Sequence, residues 1–420
     1  MTKKAIFIFI AFFCIGLTSC VDNSYQGYFF EENYTETEMP IPVRIMIGSA
    51  DDITEIGINS RRADYVQTKG TGVISEASQL NGRDFYVYSF NSDITTDMTV
   101  TSKEDENWCL IDGSTDEIDG KGGSLFGKKA RISDISNVVE WQVTQDQLFW
   151  PYKDKAGQVY NIFAYYIDDA QLTDDDIKRD HDNIKLNIEI DGSQDIMSSR
   201  AAMTNEQKAL FKDEKDLTDM MHYCYGYYAA QKGINPVLIF KHHLTKLDFT
   251  ITPGVTEGIS NEVTVKSVEI RSRYKAEFTV ADKGEPSNVG LSFEDEYKAL
   301  PLTEEDGSLL ISDNYVIRTY PEAVEPSKAE RIKLGGSIIV APDMEYIATI
   351  TLKEVREDGI EHDNLVTELP ISKNSYFEAG NRYNITLTIY GATEVEVSVH
   401  LKEWYEGGDI FIDNEPVPEL

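Results

Sequence analysis

The sequence is poor in cysteine, histidine, positive charge and long apolar runs. Four cysteines in 420 residues cannot staple a chain of this size, so stability must come from buried cores. Cys14 falls in the leader and Cys20 sits just past its cut point, which leaves Cys109 and Cys224 either as a disulfide or as free thiols. The histidines His181, His222, His242, His243, His362 and His400 are scattered without zinc-ligand spacing. No Gly-x-Ser-x-Gly or Walker sequence occurs, so the usual carriers of nucleophilic and phosphate chemistry are missing. No enzyme, cofactor or metal is expected. Lys and Arg number 39 against 73 Asp and Glu, a formal charge of −34 that opposes nucleic acid and anionic headgroups and suits solubility outside the cell.

One apolar run stands out, Ala5 to Gly16, after the basic pair Lys3-Lys4. It is too short to serve as a stable membrane span and has the length of a signal-peptide core. Leu17-Thr18-Ser19-Cys20 closes it as a lipobox, which predicts removal of residues 1–19 by cleavage between Ser19 and Cys20 and lipidation of the Cys20 thiol. Two or three acyl chains on one cysteine hold a protein to a membrane nearly permanently. Everything downstream reads as exported and membrane-tethered.

Residues 20–40 are polar and acidic, with Glu31, Glu32, Glu36 and Glu38, and suit a flexible tether. Ile41, Val43, Ile45 and Ile47 then share one face with period two, a strand signal that Pro40 and Pro42 confine to a sheet edge. Arg61-Arg62-Ala63-Asp64 has the look of an exposed, cleavable loop. Phe85 to Phe90 suits a strand buried on both faces, and Val138 to Trp150 and Val159 to Ile167 are further strands. Asp112, Asp116 and Asp119 lack the central glycine and closing glutamate of an EF-hand and read, like Asp174-Asp175-Asp176, as solvated acid. One helix is predicted, opened by a Thr204/Gln207 capping box and continued by Leu210, Phe211, Leu217, Met220 and Met221. Tyr223, Tyr225, Tyr227 and Tyr228 form either a packing strip or a sugar-stacking platform.

The mature chain is too long for one ordinary core, which points to two domains, 41–235 and 236–420. In the second, Leu238, Phe240, His242 and Leu244 alternate before the phase slips to Leu247, Phe249 and Ile251, as at a bulge. His242, on the apolar face, reads as a satisfied core histidine. Strands are expected around Val263 to Ile270, Tyr274 to Val280, Leu309 to Ile317 and Ser337 to Val340. Tyr346 to Leu352, Tyr383 to Ile389 and Val395 to Leu401 give the cleanest alternation. Many short strands between turn residues predict an all-β fold of sandwiches with one short helical insertion.

Four segments resemble the fimbrillin (FimA/Mfa-like) proteins of Bacteroidales type V pili. They are Phe149-Trp150-Pro151-Tyr152 with Tyr160 to Tyr166, Gln194 to Ala201, Phe240 to Phe249, and Phe377-Glu378-Ala379-Gly380 through Tyr383-Asn384-Ile385 to Trp404. The resemblance implies two transthyretin-like β-sandwich domains in tandem, lipoprotein export to the outer membrane, and trimming by an arginine-specific protease. Cys20 would then be the lipidated residue, and Arg62 the cleavage position ahead of Arg61 and Arg44. Trimming would release Ile41, Val43, Ile45 and Ile47 and open a groove for a strand from another subunit. The partners are thus other pilus subunits, the export machinery, the protease and, through lipid, the outer membrane. The tail 405–420, with Ile410, Phe411, Ile412 and Val417 after the hinge Gly407-Gly408, suits either a donor strand or a last strand of its own domain. Stalk, anchor and tip are the available roles, and having both cut site and tail favours stalk. The alternative is a surface glycan-binding lipoprotein using Trp108, Trp150 and the 223–228 tyrosines.

Overall fold

Alternation of buried and exposed side chains runs through most of the chain and builds sheets, because successive residues of a strand face opposite sides. A computed structural model describes residues 40–48, 80, 82–93, 95–100, 109–113, 125–132, 137–141, 148–152, 157–168, 172–209, 224–323 and 328–402. The fold is all-β, a pair of β-sandwiches with short helical turns.

The first sandwich centres on strand Phe85–Asn91. Phe85 and Val87 enter one apolar core while Tyr88 and Phe90 enter another, so the strand is buried on both faces as its composition predicts. Its neighbours are Val159–Ile167 on one side and Lys128–Ile132 on the other. Ile196–Arg200 and Lys241–His242 extend the sheet beyond the first, Val139–Trp141 beyond the second. A second sheet, ordered Gly290–Phe293, Lys275–Asp282, Asn183–Glu189, Ile177–Arg179, covers the core that holds Tyr88, Phe90, Ile184, Leu186 and Phe278. Lys275–Asp282 lies beyond residue 236 in sequence yet pairs with Asn183–Glu189, so hydrogen bonds cross the expected domain boundary.

The second sandwich packs two sheets over one core containing Leu247, Phe249, Ile270, Ile350, Ile385 and Leu387. One sheet runs Ile332–Val340, Thr245–Pro253, Arg382–Gly391, Glu394–Lys402. The other runs Tyr297–Pro301, Glu262–Arg273, Asp343–Val355, Glu361–Phe377, with Val316–Arg318 also beside Glu262–Arg273. Tyr346, Ala348, Ile350 and Leu352 are buried together, as are Tyr383, Ile385, Leu387 and Ile389.

Two expectations change, and one long strand has no counterpart among them. The phase slip after Leu244 is a change of core: Leu238 and Phe240 serve the first, Leu244 the intermediate one, and Leu247 onward the second sandwich. Leu309 and Ile311 are exposed at 76% and 55%, and only Val316–Arg318 of the expected 309–317 strand forms. Turn residues take the rest: Gly307 adopts φ +81° and Ser312–Asn314 closes a 3-10 turn. Glu361–Phe377, a 17-residue edge strand, carries no strong pattern because only Ile371 and Phe377 are fully buried.

The capping box holds. The Gln207 amide donates to Thr204 Oγ1 at 3.2 Å, and the Thr204 amide donates to Gln207 Oε1 at 3.2 Å, opening helix Asn205–Ala209. Leu210, Phe211, Leu217, Met220 and Met221 lie outside the described residues. A second short helix, Tyr227–Gln231, was not evident in the sequence. Cys109 and Cys224 are buried and form no disulfide with each other, and Cys224 Sγ lies 3.4 Å from Asn161 Oδ1.

Candidate functional site

The segment 40–48 is a ribbon whose inner face was legible in sequence. Val43, Ile45 and Ile47 are buried in the first core, Ile41 packs beside it half-buried, and Arg44 points to solvent. The expected edge position is wrong. The amides of Met46 and Gly48 donate to the carbonyls of Pro236 and Leu238 at 2.8 and 2.9 Å. On the opposite side the Ile47 amide donates to Asn137 O, and the Val139 amide to Ile45 O, both at 2.8 Å. Farther along that side, Val43 N donates to Leu148 O at 2.8 Å and Trp150 N to Ile41 O at 2.9 Å. The ribbon therefore lies in a slot with hydrogen-bonding walls on both sides.

The prolines misled because an interior strand usually needs every amide. Pro42 sits directly opposite Phe149, and the bonds flanking that pair use the Ile41 carbonyl and the Val43 amide. Its ring nitrogen is never called upon. Parallel pairing of Met46 and Ile47 with Val237 and Leu238 begins only four residues later.

Each wall has holds of its own. Val139–Trp141 pairs with Lys128–Ile132, and the other wall is fixed by the Ala202 amide on Val237 O at 3.2 Å and the Ile239 amide on Ser199 Oγ at 2.8 Å. Removing the ribbon would strip six backbone bonds from these walls and uncover the apolar floor that includes Trp150, Tyr225, Leu238 and Phe240. Four aliphatic side chains at ~1.5–3 kcal/mol each set the gross gain for whatever strand fills the slot, before its ordering cost.

Ser19, Cys20, Arg61, Arg62, Ile410, Phe411, Ile412 and Val417 lie outside the described residues. Trp150 and Tyr225 are 1% and 0% exposed and Tyr227 is buried, so these rings pack and offer no sugar platform. Trp108 and Tyr223 are outside the described residues.

Sequence reasoning missed the slot walls and two buried ionic pairs, all of which depend on contacts between distant segments. Asp248 accepts from Arg382 Nε at 2.6 Å and from Ser337 Oγ at 2.6 Å, joining three strands of the second sandwich. His242 Nδ1 lies 3.0 Å from the buried carboxylate of Asp195, which confirms it as a satisfied core histidine. Burial alone would raise the Asp195 pKa, but the charge of His242 and its hydrogen bond outweigh burial and lower it.

The adjacent His243 pairs through Nε2 with Ser198 Oγ at 2.6 Å and meets the Phe278 ring edge-on. Burial pushes its imidazole down to about 4, with the charge of Lys241 adding to the effect. The unfolded chain takes up this proton near 6.5, well before the fold does, so stability is full above that pH and declines as pH falls toward 4. The gap between these values, at ~1.36 kcal/mol per pH unit, is worth roughly 3 kcal/mol. Urea midpoints at pH 7 and pH 4.5 should show this decline, and His243→Gln should flatten it. An equal decline in that variant would assign the acid sensitivity elsewhere.

Fold and site together define an all-β protein of tandem β-sandwiches, the first of which holds a ribbon enclosed between two hydrogen-bonding walls. The chain belongs to the fimbrillin-like family, which matches residues 114–404. It is thus a pilus-related subunit of the cell surface, with other pilus subunits as partners. No curated protein matches the sequence. Among solved structures, it is similar to a fimbrial protein from Bacteroides vulgatus at 12% identity, covering 87% of this chain and 100% of that one, with a TM-score of 0.46. A protein from Bacteroides uniformis described as a cell adhesion protein matches at 13% identity, 88% and 100% coverage and a TM-score of 0.41. The fimbrial anchor protein of Porphyromonas gingivalis matches at 11% identity, 87% and 100% coverage and a TM-score of 0.29.

Proposed function

We propose that this chain is a stalk subunit that polymerises by strand replacement. It is exported as a lipoprotein through removal of residues 1–19 and acylation of Cys20, and it reaches the outer membrane by that lipid. An arginine-specific protease then cuts after Arg62, with Arg61 as the secondary position, and frees the ribbon. A second subunit fills the slot with a strand of its own, drawn from the tail 405–420 with Ile410, Phe411, Ile412 and Val417 as anchors. For this purpose the acceptor is the first sandwich, whose slot takes one wall from Pro236–Leu238, and the second sandwich follows it.

The observation that carries this reading is the two-walled slot. The ribbon is held by six backbone bonds and an apolar face, and each wall has its own anchorage. A replacement strand that repeats the period-two aliphatic pattern regains both contributions. Before cleavage the ribbon occupies the slot and blocks assembly.

Incubating purified precursor with an arginine-specific protease tests the proposal. The expected result is a new N-terminus at Ala63 followed by a ladder of detergent-stable oligomers, both abolished by Arg61→Lys combined with Arg62→Lys. Clean cleavage that leaves only monomer would remove strand replacement from the account.

A further inference from the structure

Where strand Phe85–Asn91 begins and Val159–Ile167 ends, a cleft of about 530 Å³ opens among Arg83, Asp84, Tyr86, Phe126, Lys129 and Tyr166. Among the described residues its lining includes none of the ribbon's hydrogen-bonding partners. Its size falls within the range of small-ligand sites.

The rings of this cleft are fixed in advance. Tyr86 stacks on Tyr165 with centroids 5.5 Å apart and meets Phe126 at 6.4 Å. Tyr165 in turn donates its hydroxyl to the Phe126 carbonyl at 2.6 Å, which ties the two together. Arg83 lies over the Tyr166 ring at 5.1 Å, and the Tyr166 hydroxyl donates to Asp168. The polar rim is equally ordered: Asp84 holds Lys129 at 2.9 Å and Arg131 at 2.6 Å. The side chains of Asp84, Arg83 and Lys129 are 26%, 26% and 40% exposed, so each reaches solvent at the rim.

This combination selects a chemistry. Aromatic faces accept the C–H side of a pyranose ring, while a carboxylate accepts from hydroxyls and cationic groups donate to them. The lining carries Arg83 and Lys129 against Asp84 and Asp168, a balance of charge that favours a neutral ligand over an anion. A peptide that adds to a sheet needs a free row of backbone groups, whereas this cleft presents side chains at strand ends. Groups already locked by internal contacts lose little freedom on binding. We infer that the Arg83–Asp84–Tyr86–Phe126–Lys129 cleft binds a neutral oligosaccharide, which would give the subunit an adhesive surface separate from its assembly slot.

The test uses the full chain on a printed array of neutral oligosaccharides bearing N-acetyllactosamine, mannose and fucose, followed by titration calorimetry with the strongest binder. The native chain should retain at least one of them. Asp84→Ala and Lys129→Ala, both at the exposed rim, should each weaken binding about tenfold or more, and Val366→Ser on the distant edge strand should not. Tyr86→Leu should abolish binding. Because Tyr86 also packs against the core, circular dichroism must show it folded, and the two rim variants decide the matter if it is not. No retention on the array, retention of peptides only, or undiminished affinity in both rim variants overturns the assignment. Protease-triggered assembly should be unchanged in the rim variants, so this inference and the slot mechanism fail separately.

Discussion

Ile45→Asp is expected to expel the ribbon from its slot while the rest of the fold survives. Ile45 is 1% exposed in the first core, and an unpaired carboxylate there belongs to the class of substitution that costs more than about 4 kcal/mol. The loss has a ceiling, however, because the chain escapes further cost once the ribbon lets go. Hydrogen exchange reads this directly. The amides of Val139 and Trp150, which donate to Ile45 and Ile41, should lose protection, while the amides of Thr245–Pro253 and Asp343–Val355 keep theirs. Oligomers forming without protease would follow from the same opening. Loss of protection throughout the chain would mean that the ribbon is integral to the fold, and strand replacement would then have no mechanism.

Arg382→Met should be almost as costly for a different reason. The Arg382 guanidinium lies 2.6 Å from Asp248, whose side chain is 4% exposed, and the Lys402 ammonium is 3.8 Å from the same carboxylate. Removing one partner of a buried pair leaves a charge without compensation, typically a loss of about 3–5 kcal/mol. Lys402 is 40% exposed and offers a partial substitute, which places the expectation nearer 3. Urea unfolding measures it. The double variant Asp248→Leu with Arg382→Met should recover most of the loss, since an apolar pair of similar volume removes both desolvation costs. If the double variant is no better than the single one, the contribution lies in the Asp248–Ser337 bond instead.

Ile41, Val43, Ile45 and Ile47, the double-sided strand Phe85–Asn91 and the Thr204–Gln207 cap were all legible because each is a local pattern. Alternation declares which face of a strand is buried, and a capping box closes within one turn. The same pattern misread the run from Leu238 to Ile251, since a shift of phase records a change of face without naming the core that receives it. The strand Glu361–Phe377 escaped notice for a related reason: at a sheet edge, half-buried positions tolerate histidine, threonine and lysine.

By itself, the sequence determined the all-β character and the inward face of the ribbon. Only the tertiary structure decided that this ribbon is enclosed, with Asn137–Val139 and Leu148–Trp150 on one side and Pro236–Leu238 on the other. A residue's side chain reports its own burial, but a backbone bond requires a partner, and here the partners lie ninety or more positions away. The cost of closing such loops varies only weakly with their length and leaves no mark on local composition. A paired edge and a free one are therefore written in the same letters.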